Sequence, residues 1–137
     1  MSSEKEPTMR DAMSLILAIS FAAPALGQSG KGAAAVKDIT PQELSAQLEH
    51  VRVIDVNEAD NYAFAHVPGA ELLAYDAITP EVLPVDKSSK LVFYCWSPEC
   101  PAASMAAEAA IGLGFSDVAC MRAGITGWQD AGLPTQP

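Results

Sequence analysis

A four-residue apolar run, Leu91-Val92-Phe93-Tyr94, follows Lys90 and ends on Cys95. A run this short and this apolar reads as a parallel strand buried on both faces. A few residues further on, Ala102, Met105, Ala106, Ala109, Ala110 and Leu113 recur at spacings of three and four. They form one stripe on a helix over Pro101–Leu113, expected to pack on the sheet, with Gly114 at its left-handed C′ position. Upstream, Thr40-Pro41-Gln42-Glu43 is a capping box with proline at the first helical position, opening a short helix to about Leu48. Val51–Val56 then reads as a strand, and Asn57 as the cap of a helix over Glu58–Ala65.

His66–Ala70 is a turn, Glu71–Ala74 a short strand, and 75–89 an irregular stretch with one helical turn near Pro80–Leu83. Phe115–Met121 carries the last strand, and Gly124–Ala131 a final helix stopped by Gly132 and Pro134. Alternating strands and helices imply an α/β domain with a parallel sheet and helices on both faces.

The chain has 137 residues, enough for one domain with a real core. Half are apolar and 18% charged, which excludes a disordered chain. With a net charge of -9 and no cluster of Lys or Arg, neither nucleic acid nor an anionic membrane surface is an expected partner. His50, His66 and three scattered cysteines match no zinc spacing, so no metal and no cofactor are expected.

The N-terminus has a different composition. Ala12–Ala23 carries no charge and is too short to span a bilayer, and the following Pro24-Ala25-Leu26-Gly27 offers a small-x-small cleavage site. Residues 1–27 read as a signal peptide or a retained N-terminal helix, 28–36 as a linker, and 37–137 as the folded domain. The first reading places the protein in the periplasm or outside the cell, where thiols meet oxidants. The second leaves it cytoplasmic.

Cys95 is the candidate for chemistry. It closes a strand at the carboxyl edge of the expected sheet, where α/β proteins bind ligands, and it precedes a helix start whose free N–H groups and dipole favour thiolate over thiol. The competing reading is a buried cysteine acting as a small hydrophobe.

Several segments resemble the rhodanese-like family of sulfurtransferases. Val53-Ile54-Asp55-Val56 is similar to the family's Asp-Val-Arg strand end, and Ala65-His66-Val67-Pro68-Gly69-Ala70 to its Gly-His-Ile-Pro-Gly-Ala turn. Val92-Phe93-Tyr94-Cys95 resembles the strand that delivers the catalytic cysteine. Leu113–Val118 and Gly124–Pro134 resemble the closing strand and helix. The resemblance covers roughly residues 37–134. It implies a central parallel sheet of four to five strands with helices on both faces. It also implies persulfide transfer, in which Cys95 takes sulfane sulfur from a small donor such as thiosulfate and passes it to cyanide or a thiol, a protein thiol included.

The loop departs from the family. Where Cys-Arg-x-Gly-x-Arg-Ser is common, this chain has Cys95-Trp96-Ser97-Pro98-Glu99-Cys100-Pro101. The length is kept, whereas related phosphatases with this fold use a longer loop. Both arginines are absent, Pro98 removes an amide donor, and Glu99 adds a negative charge where thiosulfate would sit. Ser97 and the amides of Trp96, Ser97, Glu99 and Cys100 remain as donors, and Trp96 can wall the pocket or meet a partner.

Cys100 lies within reach as a resolving thiol, which opens a second function: thiol–disulfide chemistry with Cys95. An inert Cys100 beside the helix start is the plainer account. A third reading is a non-catalytic binding module. Asp55 borders the same edge and is expected to hold neighbouring loops, His66 to serve its turn, and Cys120 and Trp128 to pack in the core.

Overall fold

The computed structural model describes residues 34–137. The signal-peptide reading of residues 1–27 and most of the 28–36 linker lie outside the described residues.

Five strands form one fully parallel sheet: β1 (Lys37–Asp38), β2 (Arg52–Asp55), β3 (Glu71–Leu72), β4 (Lys90–Tyr94) and β5 (Asp117–Met121), in the spatial order β1-β5-β4-β2-β3. Among the described residues four α-helices accompany them: α1 (Pro41–Ser45), α2 (Ala59–Phe64), α3 (Ala102–Gly112) and α4 (Gly124–Asp130). The apolar run found first in the sequence is the central strand, β4, paired on one side with β2 and on the other with β5.

Because successive strand residues face opposite sides, β4 feeds two cores. Leu91, Phe93 and Cys95 join Ile54, Val118 and Cys120 under the alanines of α3. Val92 and Tyr94 join Val53, Ala119 and Met121 under Leu44 of α1 and Ile125 and Trp128 of α4. Helices thus cover both faces, and Cys95 belongs to the α3 side.

Several local expectations are corrected. The short strand β1 occurs where only the start of the domain was anticipated; its two residues pair with Ala119 and Cys120 of β5. Helix α1 has the full capping box but ends at Ser45, and a separate 3-10 turn follows at Leu48–His50. The stripe of α3 that meets the sheet is Ala103, Ala106, Ala107 and Ala110, while Met105 is half exposed. Both stripes have helical spacing, and the alanine one lets the helix lie closer to a sheet face already filled by Phe93 and Phe115.

Residues 75–89 contain turns but no helix, and anchor to the α3 core through Ile78 and Leu83. Asn57 does not cap α2. The cap is Glu58, without a side-chain hydrogen bond, and the Asn57 side chain is buried.

Candidate active site

The loop from Cys95 to Pro101 leaves the carboxyl end of β4 and enters α3. Two backbone bonds from α4 fix its first half: Ile125 N–H donates to Cys95 O (3.0 Å) and Thr126 N–H to Trp96 O (3.1 Å). Its second half closes on itself, with Cys100 N–H donating to Ser97 O (3.1 Å) and Ser97 Oγ donating to Glu99 Oε1 (3.0 Å). The Cys100 amide is therefore committed to the turn, and the set of donors free to cradle an anion is smaller than the sequence implied.

The structure joins Cys95 to Cys100 in a disulfide, with the Cα atoms 6.2 Å apart, inside the usual range for such a bond. Cys95 is buried, Cys100 partly so, and Trp96 stands on the surface at 37% exposure. Beneath the loop, Cys95, Cys100 and Cys120 line one cavity together with Ser104 and Arg122. Its volume is about 10 Å³, at the lower bound for a single water. Cys120, read from the sequence as core, is buried and free, and it also faces this space. Burial pushes its thiol pKa up, so it stays protonated.

Two residues missed by sequence reasoning belong here. Arg122, at the end of β5, lines the cavity; its Nε donates to Asp38 (2.5 Å) and its Nη1 to Ser104 Oγ (2.8 Å). No loop motif announced it, and only the parallel pairing of β4 with β5 brings that strand end beside the loop. Asn57 is the other. Its Oδ1 lies 3.6 Å from Cys95 Sγ, and its Nδ2 is buried with no partner among the described residues. A disulfide sulfur has no proton to donate, so this contact becomes a hydrogen bond only when Cys95 is reduced. Amide oxygen and nitrogen are interchangeable by a half-turn, and turning Asn57 offers the sulfur an N–H donor instead.

Asp55 sits behind this site rather than in it. It is fully buried, accepts from the backbone N–H of Asn57 (2.8 Å) and from the Tyr94 hydroxyl (2.6 Å), and Tyr94 in turn accepts from Val67 N–H (3.0 Å). Burial raises the Asp55 carboxyl pKa despite these bonds. His66 is not brought to Cys95: its Nδ1 meets Tyr62 O at 2.8 Å and its ring stacks on that of Tyr62. A groove of about 340 Å³, lined in part by Asn57, Leu72 and Tyr75, opens at the carboxyl edge of β2 and β3. Among the described residues no cluster of acidic, His or Cys side chains is arranged to hold a metal, and no helix is long and apolar enough to cross a membrane.

The family profile of the Rhodanese-like domain matches residues 40–131. The chain belongs to the rhodanese-like family. Solved structures agree on the fold. A protein from Bacillus halodurans is 25% identical, covers 73% of this chain and 76% of its own, and superposes with a TM-score of 0.66. A rhodanese-like domain protein from Staphylococcus aureus is 26% identical over 72% of this chain and 97% of its own, at a TM-score of 0.58. A protein of unknown function from Rhodopseudomonas palustris, described as a possible tyrosine phosphatase, shares 22% identity over 72% of this chain and 83% of its own, at a TM-score of 0.62, and so speaks for the fold alone. In this rhodanese-like chain the cysteine after the central strand is kept, while the loop beyond it carries no arginine.

Proposed function

We propose that the protein is a sulfurtransferase that carries sulfane sulfur as a persulfide on Cys95, taken from a small persulfide or thiosulfate donor and delivered to a thiol or cyanide. One observation carries this reading: Cys95 Sγ already bears a second sulfur atom, that of Cys100. A persulfide needs a bonded sulfur at the same place. The burial of Cys95 supports a bond shielded from water, and formation of a persulfide there requires sulfur-to-sulfur attack by a thiolate.

The acidic loop supports an uncharged or singly charged donor over thiosulfate, because Glu99 opposes a dianion and no loop cation offsets it. The test is to incubate the reduced Cys100→Ser variant with thiosulfate or glutathione persulfide and weigh the intact protein. A gain of one sulfur atom, absent in Cys95→Ser, is expected. No gain with any donor rejects transfer.

The disulfide also favours a second reading, thiol–disulfide exchange through Cys95 and Cys100 without sulfur transfer. On that reading the wild type oxidises and reduces reversibly, but the Cys100→Ser variant takes up no sulfur. Export to an oxidising compartment is part of either proposal, since it would let the disulfide persist. The N-terminal sequence of protein recovered from a periplasmic or culture fraction tests it.

A further inference from the structure

We propose that Cys100 is the acceptor of the sulfur-transfer cycle, making this protein a persulfide reductase that releases sulfide. The inference rests on the Cys95 persulfide reading above and adds the fate of the sulfur.

Three observations converge. First, the Cys100 sulfur is within bonding distance of the nucleophile, so an acceptor thiol is built into the loop. The backbone bonds from Ile125 and Thr126 and the turn between Ser97 and Cys100 hold both cysteines in that loop. Second, Cys100 is already in place, whereas an outside acceptor must enter the same confined site in its turn after the donor's thiolate has left: with the disulfide formed, Cys95 is 6% exposed and the cavity beneath the loop holds about 10 Å³. Third, anionic acceptors are disfavoured. Glu99 lies on the exposed side of the loop, and Arg122, the one basic group among the described residues that line the cavity, is already bound to Asp38 and Ser104. An internal thiol needs neither an entrance nor a cation.

The chemistry balances in two steps. The Cys95 thiolate attacks the outer sulfur of a donor R–S–SH; the donor's S–S bond breaks, the thiolate RS⁻ leaves, and Cys95–S–SH forms. The Cys100 thiolate then attacks Cys95 Sγ; a Cys95–Cys100 bond forms, and the bond to the outer sulfur breaks, expelling HS⁻ with its electron pair. The sulfane sulfur is reduced to sulfide while the two cysteines are oxidised to the disulfide that the structure contains. A dithiol reductant restores the starting state, so the reaction that follows this one must be of thiol–disulfide class.

The test uses the reduced full-length chain, stripped of reductant under anaerobic conditions and given glutathione persulfide. Hydrosulfide and intact mass are read together, with a donor-free sample as the control for adventitious oxidation. The wild type is expected to release one hydrosulfide per chain and to finish two hydrogens lighter with no added sulfur. Cys100→Ser and Cys100→Ala, desalted after the donor step to remove the thiol it liberates, are expected to retain one extra sulfur atom and to release hydrosulfide only when fresh thiol is added. Cys95→Ser does neither.

If wild type and the Cys100 variants retain the added sulfur alike, the inference is overturned while Cys95 transfer stands. If the Cys100 variants take up no sulfur, the transfer reading falls and the inference with it.

Discussion

The hydroxyl of Tyr94 donates to Oδ2 of Asp55 across 2.6 Å, tying the carboxyl ends of β2 and β4 together one residue before Cys95. Both groups are buried, and the same hydroxyl accepts from Val67 N–H. Burial and the adjoining carboxylate push the phenol's pKa far up, so it remains a donor at any working pH. Tyr94→Phe keeps the ring in the core but strands a carboxylate oxygen and an amide. An unpartnered buried group costs about 1–3 kcal/mol. The variant is expected to lose stability in that range in urea titration, with the fold retained by circular dichroism.

Asp55 itself has a definite pH signature. Burial raises its carboxyl pKa above the ordinary 3.8, so the folded state holds this proton more tightly than the unfolded chain does. Stability from this group is therefore present at low pH and declines as pH rises from about 3.8 through the folded value. Glu71, lowered by Arg52, and Asp86, lowered by its bonds from Ser88, act with the opposite sign and lose stability as pH falls. The comparison that isolates Asp55 is wild type against Asp55→Asn. The wild type is expected to lose ground relative to the variant as pH rises through the acid range. A wild type that gains ground instead contradicts the assignment.

The geometry around Asn57 makes a prediction about reactivity. With Cys95 reduced, the Asn57 side-chain amide, whose Oδ1 lies 3.6 Å from its sulfur, can hydrogen-bond to it, and its Nδ2 has no hydrogen-bond partner among the described residues. A hydrogen bond to the charged form lowers a thiol pKa, and one unit corresponds to about 1.4 kcal/mol. Asn57→Leu in a Cys100→Ser background is expected to shift the pH profile of Cys95 alkylation upward by about one unit. Asp55, Tyr94, Glu99, Cys120 and Arg122 surround the same region and are unchanged in both proteins. An unmoved profile would leave Asn57 a packing residue.

What the chain discloses in advance divides along physical lines. Features set by local rules were legible: the capping box at Thr40, the left-handed Gly114 after α3, and the apolar run Leu91–Tyr94 of β4. Features set by which element lies next to which were not. Nothing in the sequence near Arg122 says that β5 pairs with β4 and delivers that side chain to the loop. Asn57 has the form of a helix cap, and only the approach of Cys95 from another strand explains why its amide turns inward. The face of α3 was ambiguous because an alanine-rich helix has more than one apolar stripe. The two-residue strand β1 carries too few residues to show any period. The loop was half legible: the retained cysteine and missing arginines are plain in sequence, whereas the use of the Cys100 amide within its own turn is not.

Glycine 124 offers the sharpest test of how the loop is held. Its φ is +70°, and a Cβ placed there would lie 2.5 Å from Trp96 O and 2.6 Å from Ser97 N, both backbone atoms of the loop between β4 and α3. Gly69 has a similar φ of +82° but open space around it. The two positions therefore share the conformational cost of a side chain at positive φ, about 1–2 kcal/mol, and differ in whether anything must move. Gly69→Ala is expected to cost that much and leave the thiols unaffected. Gly124→Ala adds a clash that cannot be relieved by turning a flexible side chain. Overpacking of this kind costs a further ~1–3 kcal/mol, and relief comes from shifting Trp96 and Ser97, the residues that connect Cys95 to the Ser97–Cys100 turn. Slower disulfide formation between Cys95 and Cys100 on adding oxidant to the reduced protein is the expected result, measured by alkylation and mass. Equal rates in the two glycine variants would mean that α4 does not set the loop's geometry.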